Sequence, residues 1–235
     1  MNHMKIKKLN WDSDFFERII GEVFFLDSNI AIENLDFDLI VSKQNKSFDV
    51  EIPGFEKTFE ETKVIFEKTL SPINQNNDLE IKDTDQEQRT SDFFKTLAYE
   101  SGKNSRFLLD QNFGVEKFKK LYDEWVANSL NKKFAIKTFY IEAGNTPVAF
   151  VTVQKAELIG KIGLIATNPA FQGKGYGKKI LIFAEDFCYQ NGMKTMEIPT
   201  QKQNVQACNF YEKMGYKIKE EHIIKHFWKK NDAIQ

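Results

Sequence analysis

The sequence predicts an α/β (α+β) fold, in which a mixed and mostly antiparallel sheet carries helices on both faces and a smaller β-rich domain comes first. Three observations support this prediction. Strand and helix patterns alternate from residue 79 to residue 228, a glycine-rich loop joins a buried strand to an amphipathic helix, and the chain before position 71 shows strand patterns with little helix. We expect a β-rich domain over residues 1–70, a linker over 71–77 and the larger domain over 78–235.

Composition and charge argue against several classes of function. The 235 residues include 33 lysines and arginines against 34 aspartates and glutamates, a net charge of -1, whereas a general nucleic-acid binder is normally basic. No segment approaches the apolar length of a membrane span, and the first residues show no signal-peptide pattern. Cys188 and Cys208 lie on separate predicted helices without clustered ligands, so we expect neither a disulfide nor a metal site. These features predict a cytoplasmic protein without nucleic-acid or membrane partners.

The predicted N-terminal domain combines short strands with an aromatic and acidic segment, which reads LNWDSDFF over residues 9–16. The β-rich runs are residues 23–26, 38–41 and 62–66. A short internal sequence similarity links this region to the end of the chain. Gly54 leads through two adjacent glutamates to Phe66, and Gly215 does the same to Phe227, with 12 positions from glycine to phenylalanine in both cases. This similarity suggests that the N-terminal part of the chain is a degenerate half-copy of the C-terminal fold.

The larger domain follows the Pro- and Asn/Gln-rich stretch 71–77 and alternates strands with helices. The predicted strands cover residues 79–82, 134–143, 148–155, 162–167, 194–199 and 216–228. The predicted helices cover residues 85–101, 116–130 and 204–214, together with a helix that follows the glycine loop and ends at Asn191-Gly192. Ile180, Leu181 and Ala184 recur at helical spacing, which places the helix after the loop against a core.

The hexapeptide Gln172-Gly173-Lys174-Gly175-Tyr176-Gly177 is the chemical centre of the sequence. Glycines let the backbone approach a phosphate closely, and the free N–H groups of the first helical turn point at it. Counted from Gly173, both the dinucleotide motif and the P-loop require a glycine where Lys178 stands. The loop therefore predicts a site for a pyrophosphate of another kind. Gly163, in the strand before the loop, predicts either a bulge or a relief of crowding.

Two motifs resemble the GNAT acetyltransferase superfamily. Gln172, Gly175 and Gly177 match the Q-x-x-G-x-G loop that binds acyl-CoA in that family, and residues 204–216 match its N-x-x-A-x-x-F-Y-x-x-x-G-[FY] segment. The resemblance covers residues 79–228 and implies a GNAT fold that uses acetyl-CoA as co-substrate. The coenzyme contacts that it implies are Ile165, Ala166, Thr167, Gln172, Gly173, Lys174, Gly175, Tyr176, Gly177, Lys178, Asn204 and Ala207.

The resemblance also implies a general acid. GNAT enzymes commonly use the tyrosine at the position of Tyr211 to protonate the departing thiolate, and a phenol with a pKa near ~10 stays protonated at neutral pH. The alternative is that Tyr211 is only a core aromatic beside Phe210. The general base is left open. Many GNAT enzymes carry a glutamate about where Lys161 falls here, and Glu197 or Glu142 could act through a water instead.

The substrate is predicted from a looser resemblance that spans nearly the whole chain. Residues 9–16 and 100–107, with the β-rich region between them, resemble the dTDP-fucosamine acetyltransferase branch. That branch acetylates the 4-amino group of a nucleotide-linked 4-amino-4,6-dideoxyhexose for surface polysaccharide, although Glu17-Arg18 stands where it tends to have a glycine.

This second resemblance implies direct attack of the amine in a ternary complex, with Ser105, Arg106 and Phe107 binding the nucleotide sugar. A surface ion pair is the alternative role for Arg106. Two other functions stay open: a GNAT acetyltransferase of a peptide, polyamine or other small amine, and a non-catalytic acyl-CoA-binding module. A homodimer is left open as well.

Overall fold

The computed structural model describes residues 3–25, 31–33, 36–73 and 81–230. Within them the strands are β1 (His3–Lys5), β2 (Lys7–Lys8), β3 (Ile20–Phe25), β4 (Ala31–Glu33), β5 (Leu39–Gln44), β6 (Phe55–Thr69), β7 (Lys82–Asp83), β8 (Lys137–Ala143), β9 (Thr146–Ala156), β10 (Ile159–Thr167), β11 (Thr195–Gln201) and β12 (Lys217–Lys229). The helices are α1 (Asn10–Phe16), α2 (Ser91–Gly102), α3 (Arg106–Leu109), α4 (Val115–Leu130), α5 (Tyr176–Gln190) and α6 (Val205–Lys213), with a 3₁₀ turn at Pro169–Phe171.

One ten-stranded sheet dominates the described part of the chain. Its strand order is β2-β3-β5-β12-β6-β11-β10-β9-β8-β7, and β1 pairs with β4 separately. Among the described strands of this sheet, β3 with β5 and β10 with β11 are the parallel pairs, and the other neighbours run antiparallel. The predicted mixed and mostly antiparallel sheet is confirmed.

Helices cover both faces of the sheet, as predicted. On one face, α5 and α6 bury Ile180, Leu181 and Tyr211 against the strands. On the other face, α1, α2 and α4 bury a second cluster whose helical members are Phe15, Phe16, Phe94, Leu97, Ala98, Phe118, Leu121, Tyr122 and Val126. A third, smaller cluster joins Ile40 and other residues of the N-terminal part to Phe227 of β12. Burial of these apolar side chains is the main stabilising term of the fold.

Strands β6 and β12 lie in the middle of the sheet and connect its two parts. β6, from the N-terminal part, pairs with β11 of the larger domain, and β12, from the end of the chain, pairs with β5. Gly54 and Gly215 stand shortly before the two strands with φ of 81° and 86°. Thr62 and Ile223, each eight positions after its glycine, are direct partners. Duplication of a half-domain, followed by exchange of β6 and β12 between the two halves, would give this symmetric pairing. The half-copy itself stays a hypothesis.

The predicted division at residues 71–77 also stays a prediction, because much of that stretch lies outside the described residues. The sheet itself runs on from the strands before this stretch to those of the larger domain. Half of the predicted strand at 79–82 lies outside the described residues, and β7 includes its last residue, Lys82. The predicted helix at 85–101 begins only at Ser91, where α2 starts.

A buried polar network fixes the short helix α3 to the sheet. Asp110, which ends α3, accepts hydrogen bonds from His226 Nδ1 at 2.7 Å and from Trp228 Nε1 at 2.9 Å. Burial lowers the pKa of His226, although the bond to Asp110 opposes this shift. Because both donors lie on β12, the network sets the position of the first residue of α3, Arg106.

Candidate active site

A cavity of about 740 Å³ passes between the two helical layers. Its wall includes residues of α5 and α6 from one face of the sheet and of α1 to α4 from the other, together with β6, β10 and β11. Tyr211, Ser105, Arg106 and Phe107 line it, and so do the predicted coenzyme contacts other than Lys174. The structure therefore brings the predicted site residues together around one space, while their individual roles stay predictions.

The cavity enters the sheet where β10 and β11 separate. The two strands pair only from Ile159–Lys161 to Thr195–Glu197. Beyond that point residues 162–167 of β10 and 198–201 of β11 both line the cavity. Backbone groups that are not used in a ladder between these strands can contact an extended ligand lying in the gap. The predicted contacts Ile165, Ala166 and Thr167 lie along this gap.

The sequence left two roles open for Gly163, a bulge and a relief of crowding, and the structure shows both. The register of β10 against β9 shifts between Ile162 and Ile165, which is the predicted bulge. A Cβ atom at Gly163 would lie 2.8 Å from Thr152 Oγ1, a distance that real Cβ contacts do not show. Leu164 N–H donates to the same Thr152 oxygen at 2.8 Å, so the bulge is fixed from the neighbouring strand.

The glycine loop presents an open helix N-terminus to the cavity. Gly173 and Gly175 adopt φ of 77° and 87°, which favours glycine, and beyond their chain neighbours no described heavy atom lies within 4 Å of a Cβ built at either position. Gly175 caps α5 without a side-chain hydrogen bond, and the first turn of α5 carries no acidic residue. These features fit the phosphates of a coenzyme A molecule, which would accept hydrogen bonds from the first-turn N–H groups. Lys174 lies beside the loop, with its ammonium over the Phe171 ring at 5.1 Å.

Gln172 and Asn204 hold the loop and α6 in place at the cavity wall. Gln172 Nε2 donates to Thr167 O and to Glu100 Oε1, both at 3.1 Å, which ties the loop to β10 and α2. Asn204 Oδ1 accepts from Ala207 N at 3.2 Å and so caps α6. Asn204 also lines the cavity, so its cap leaves its amide in a position to contact a ligand.

Tyr211 lies on α6, where only 5% of its surface is exposed, and it contacts both the cavity and the core. Its ring packs against Phe66 and Tyr216, with centroids 5.5 and 6.0 Å away. Burial raises the pKa of its phenol above the ordinary value. The phenol therefore stays protonated at neutral pH, as a general acid must, but it becomes a weaker acid. Core packing and proton donation are both compatible with this geometry.

The two glutamates considered as bases are engaged elsewhere. Glu197 pairs with Lys219 at 2.6 Å and with Lys161 at 3.3 Å, and these bonds lower its pKa although burial opposes the shift. Glu142 is held by Arg89 at 2.8 Å, which lowers its pKa as well. Neither glutamate is among the described residues that line the cavity. Two ion-paired carboxylates of low pKa are poor proton acceptors at neutral pH.

Arg106 opens α3 at the side of the cavity opposite the glycine loop. Its guanidinium stacks over the Phe107 ring at 4.9 Å, and its Nη1 atom is buried without a hydrogen-bond partner among the described residues. Phe107 continues into an aromatic cluster, with ring centroids 5.5 Å from Phe16 and 6.2 Å from Trp125. The surface-ion-pair alternative for Arg106 is not favoured, because no ion pair of this residue occurs within the part of the chain that the structure describes.

Several residues that line the cavity around Arg106 were not named as site residues from the sequence. Trp11 and Asp12 belong to the segment 9–16 that carries the second resemblance, and the others are Lys43, Glu61, Lys63, Tyr122 and Trp125. Glu61 and Lys63 lie on β6, whose predicted start at residue 62 excluded Glu61 from the strand. The signal that was available is a pair of charged residues two positions apart in a strand-forming run. Such a pair points to one face, where burial of charge marks a functional position.

Known proteins resemble this chain over a region that contains part of this cavity wall. Residues 105–216 match the model of the Acetyltransferase (GNAT) family. The spore coat polysaccharide biosynthesis protein SpsD of Bacillus subtilis is 24% identical over 137 residues, which cover 58% of this chain and 47% of SpsD. An uncharacterized N-acetyltransferase of Methanocaldococcus jannaschii is 27% identical over 118 residues, which cover 46% of this chain and 52% of that protein. The chain thus spans about half the length of these curated relatives.

Solved structures share the fold. A protein from Novosphingobium aromaticivorans assigned to the GNAT acetyltransferases superposes with a TM-score of 0.54 at 12% identity, covering 83% of this chain and 75% of the other. This likeness confirms the predicted fold, and the family match identifies a GNAT acetyltransferase domain over residues 105–216, in a superfamily whose members take the acetyl group from acetyl-CoA.

Proposed function

Since residues 105–216 form an acetyltransferase domain of the GNAT family, we propose that the protein transfers the acetyl group of acetyl-CoA to the amino group of a nucleotide-activated 4-amino-4,6-dideoxy sugar. The product would serve surface polysaccharide biosynthesis. Similarity to SpsD, which is named for spore coat polysaccharide biosynthesis, supports this choice of pathway.

The charge of the acceptor side of the cavity carries the proposal. Around the aromatic cluster, the cavity is lined by the cations Lys43, Lys63 and Arg106 and by the carboxylates Asp12 and Glu61, and Lys43 is paired with Glu22. A diphosphate would pair with Lys63 and Arg106, whereas a polyamine would be repelled by them. Arg106, with a buried nitrogen that has no partner among the described residues, is suited to bidentate contact with a phosphate. The aromatic rings beside it are suited to stack on a nucleotide base or a sugar face.

The proposed reaction divides between the two faces of the sheet. The glycine loop and the first turn of α5 hold the pyrophosphate of acetyl-CoA, and the gap between β10 and β11 leads its thioester toward the acceptor side. The amine attacks the acetyl carbon directly in the ternary complex, the carbon–sulfur bond breaks, and the nitrogen gives up one proton to solvent. Tyr211 then gives its proton to the departing sulfur. The bulge fixed by Gly163 directs backbone groups of β10 at the acetyl oxygen, whose negative charge they stabilise.

Location and partners follow from the chemistry of this proposal. No helix in the described residues is both long and apolar enough to cross a membrane. Cys188 and Cys208 are both free thiols, which is usual for a protein of the reducing cytoplasm. We therefore place the reaction in the cytoplasm, with small-molecule substrates.

One screen tests the proposal. Thiol release from acetyl-CoA is measured with dTDP-4-amino-4,6-dideoxy sugars, with polyamines and with peptides as acceptors. We expect turnover with nucleotide amino sugars and little with cationic amines. Acetylation of polyamines or peptides in preference to the sugars would overturn the proposed substrate, and acetyl-CoA binding without turnover on any amine would identify a non-catalytic module.

A further inference from the structure

The bulge of β10 is held by a single buried hydroxyl on the neighbouring strand. The register of β10 against β9 shifts between Ile162 and Ile165, so the two residues between them, Gly163 and Leu164, stand opposite Thr152 alone. Thr152 is 1% exposed, and its Oγ1 accepts a hydrogen bond from Leu164 N–H at 2.8 Å. A side-chain oxygen therefore takes the place that a main-chain carbonyl holds in a regular ladder.

This hydrogen bond sets the direction of the main-chain groups that follow it on β10. Main-chain N–H and C=O groups of an extended strand point alternately to its two sides. Leu164 N–H points to β9, and four residues later Asn168 N–H does the same, since it donates to Val148 O at 2.8 Å. Ile165 therefore directs its N–H to the other side. That side is the gap in the cavity wall, beyond the last residue at which β10 pairs with β11.

We propose that Thr152 is a positioning residue for the acetyl transfer, whose hydroxyl holds Leu164 and thereby aims the N–H of Ile165 at the acetyl oxygen. The inference rests on the proposed function, in which backbone groups of β10 stabilise the negative charge of this oxygen. Thr152 is not among the described residues that line the cavity, so it acts through the bulge rather than by touching a substrate. A displacement of about 1 Å in a group that contacts the reacting atoms costs about 10²-fold in rate.

Gly163 and Thr152 act together in this arrangement. A Cβ atom at position 163 would lie 2.8 Å from Thr152 Oγ1, so glycine leaves the space in which the hydroxyl reaches Leu164. Without the hydroxyl, Leu164 N–H would stay in the interior with no acceptor, which is unfavourable. The amide would regain a partner by pairing with a main-chain carbonyl of β9. Such a change of pairing moves the bulge and turns the N–H of Ile165 away from the acetyl oxygen.

Thr138 of β8 provides a matched control for Thr152. The two threonines are direct cross-strand partners and both are 1% exposed, but Thr138 Oγ1 has no hydrogen-bond partner among the described residues. Valine replaces the hydroxyl by a methyl group of similar shape at either position. Thr138→Val therefore repeats the change in packing without removing a hydrogen bond to β10.

The kinetic experiment uses the full chain and the amine that the acceptor screen gives as best substrate. We expect Thr152→Val to lower kcat by about 10²-fold, while acetyl-CoA affinity and KM for the acceptor stay close to the wild-type values, as for misplacement of an oxyanion donor. Thr152→Ser keeps the hydroxyl and should recover most of the rate. Thr138→Val should keep wild-type turnover.

An infrared measurement separates positioning from a merely structural role. Acetyl-CoA that carries ¹³C at the acetyl carbonyl is bound to each variant without an acceptor. In the wild type the carbonyl stretch should move to lower frequency than in free acetyl-CoA, because a hydrogen bond from the N–H of Ile165 polarises the C=O bond. The shift should shrink in Thr152→Val and persist in Thr152→Ser and Thr138→Val.

A folded Thr152→Val protein with wild-type kcat, or with the wild-type carbonyl shift, would overturn the inference even if its melting temperature is lower. If another amine replaces the nucleotide sugar as best substrate, the proposed function fails, and kcat of the variants is compared on that amine. The infrared measurement needs acetyl-CoA alone, so it decides the role of Thr152 whichever amine is acetylated.

Discussion

Replacement of Glu61 by glutamine should make the folded protein more stable above neutral pH. The pKa of this carboxyl rises from 4.5 to about 7 on folding, because burial disfavours the charged form. Between these values the folded protein binds more protons than the unfolded chain, so the wild type loses stability as the pH rises through this window. Each pKa unit is worth about 1.4 kcal/mol, so the ionised carboxylate lowers the free energy of unfolding by about 3 kcal/mol at pH 8 and by less than about 1 kcal/mol at pH 5.

Urea denaturation at pH 5 and pH 8 measures the effect. Glutamine has nearly the same shape but never ionises, so Glu61→Gln should match the wild type at pH 5 and exceed it by about 3 kcal/mol at pH 8, with unchanged m-values. The control is Glu60→Gln, whose ion-paired and partly exposed side chain should give no such pH-dependent gain. A stability difference between Glu61→Gln and the wild type that stays constant from pH 5 to pH 8 would refute the argument that folding raises this pKa.

Four further substitutions test the other parts of the site. Tyr211→Phe should lower kcat by about 10²–10⁴-fold while acetyl-CoA affinity and stability hold; turnover near that of the wild type, where chemistry limits the rate, would mean that another group protonates the thiolate. Gly175→Asp should abolish acetyl-CoA binding measured by calorimetry, and Gly175→Ala, which shares the strain of φ 87° without the charge, should bind better; equal affinities would contradict a pyrophosphate at the loop. Arg106→Ala should raise KM for a nucleotide sugar and leave acetyl-CoA affinity intact, and an unchanged KM would exclude the predicted substrate contact. Gly163→Ala should lower both kcat and stability, because its Cβ would meet Thr152 Oγ1 at 2.8 Å; full activity and an unchanged melting temperature would show that the bulge adapts.

The conformation of the glycine loop and its flanking elements was predictable because its signals are local. The glycine loop, the strand before it and the helix after it occupy one continuous stretch of sequence. The turn between strand and helix needs glycine because of the backbone angles it adopts. Asn204 caps α6 from the adjoining position. Sequence spacing is sufficient for such features, since the partners are close neighbours along the chain.

The acceptor side could not be predicted in the same way. Glu61 reaches the cavity only because β6 pairs with β11 and β12, which lie far along the chain. No local pattern specifies such a pairing, and the β-rich run indicates a strand start at residue 62 rather than at Phe55. Helix α1 was missed for a similar reason. Its residues Phe15 and Phe16 are buried against α4 and Phe113, so tertiary packing stabilises a helix of only seven residues.

The exchanged positions of β6 and β12 affect how the molecule can be made. β6 leaves the ribosome while both of its eventual neighbours in the sheet are still unsynthesised, so it must wait as an unpaired strand until nearly the whole chain has emerged. Contacts of such long sequence separation slow folding and expose strand edges to other chains in the meantime. Once formed, however, the same exchange joins the two ends of the polypeptide through backbone hydrogen bonds in the middle of the sheet. A protease that cut between β6 and β7 would then leave two pieces still held together, and the two pieces expressed side by side should assemble into one molecule.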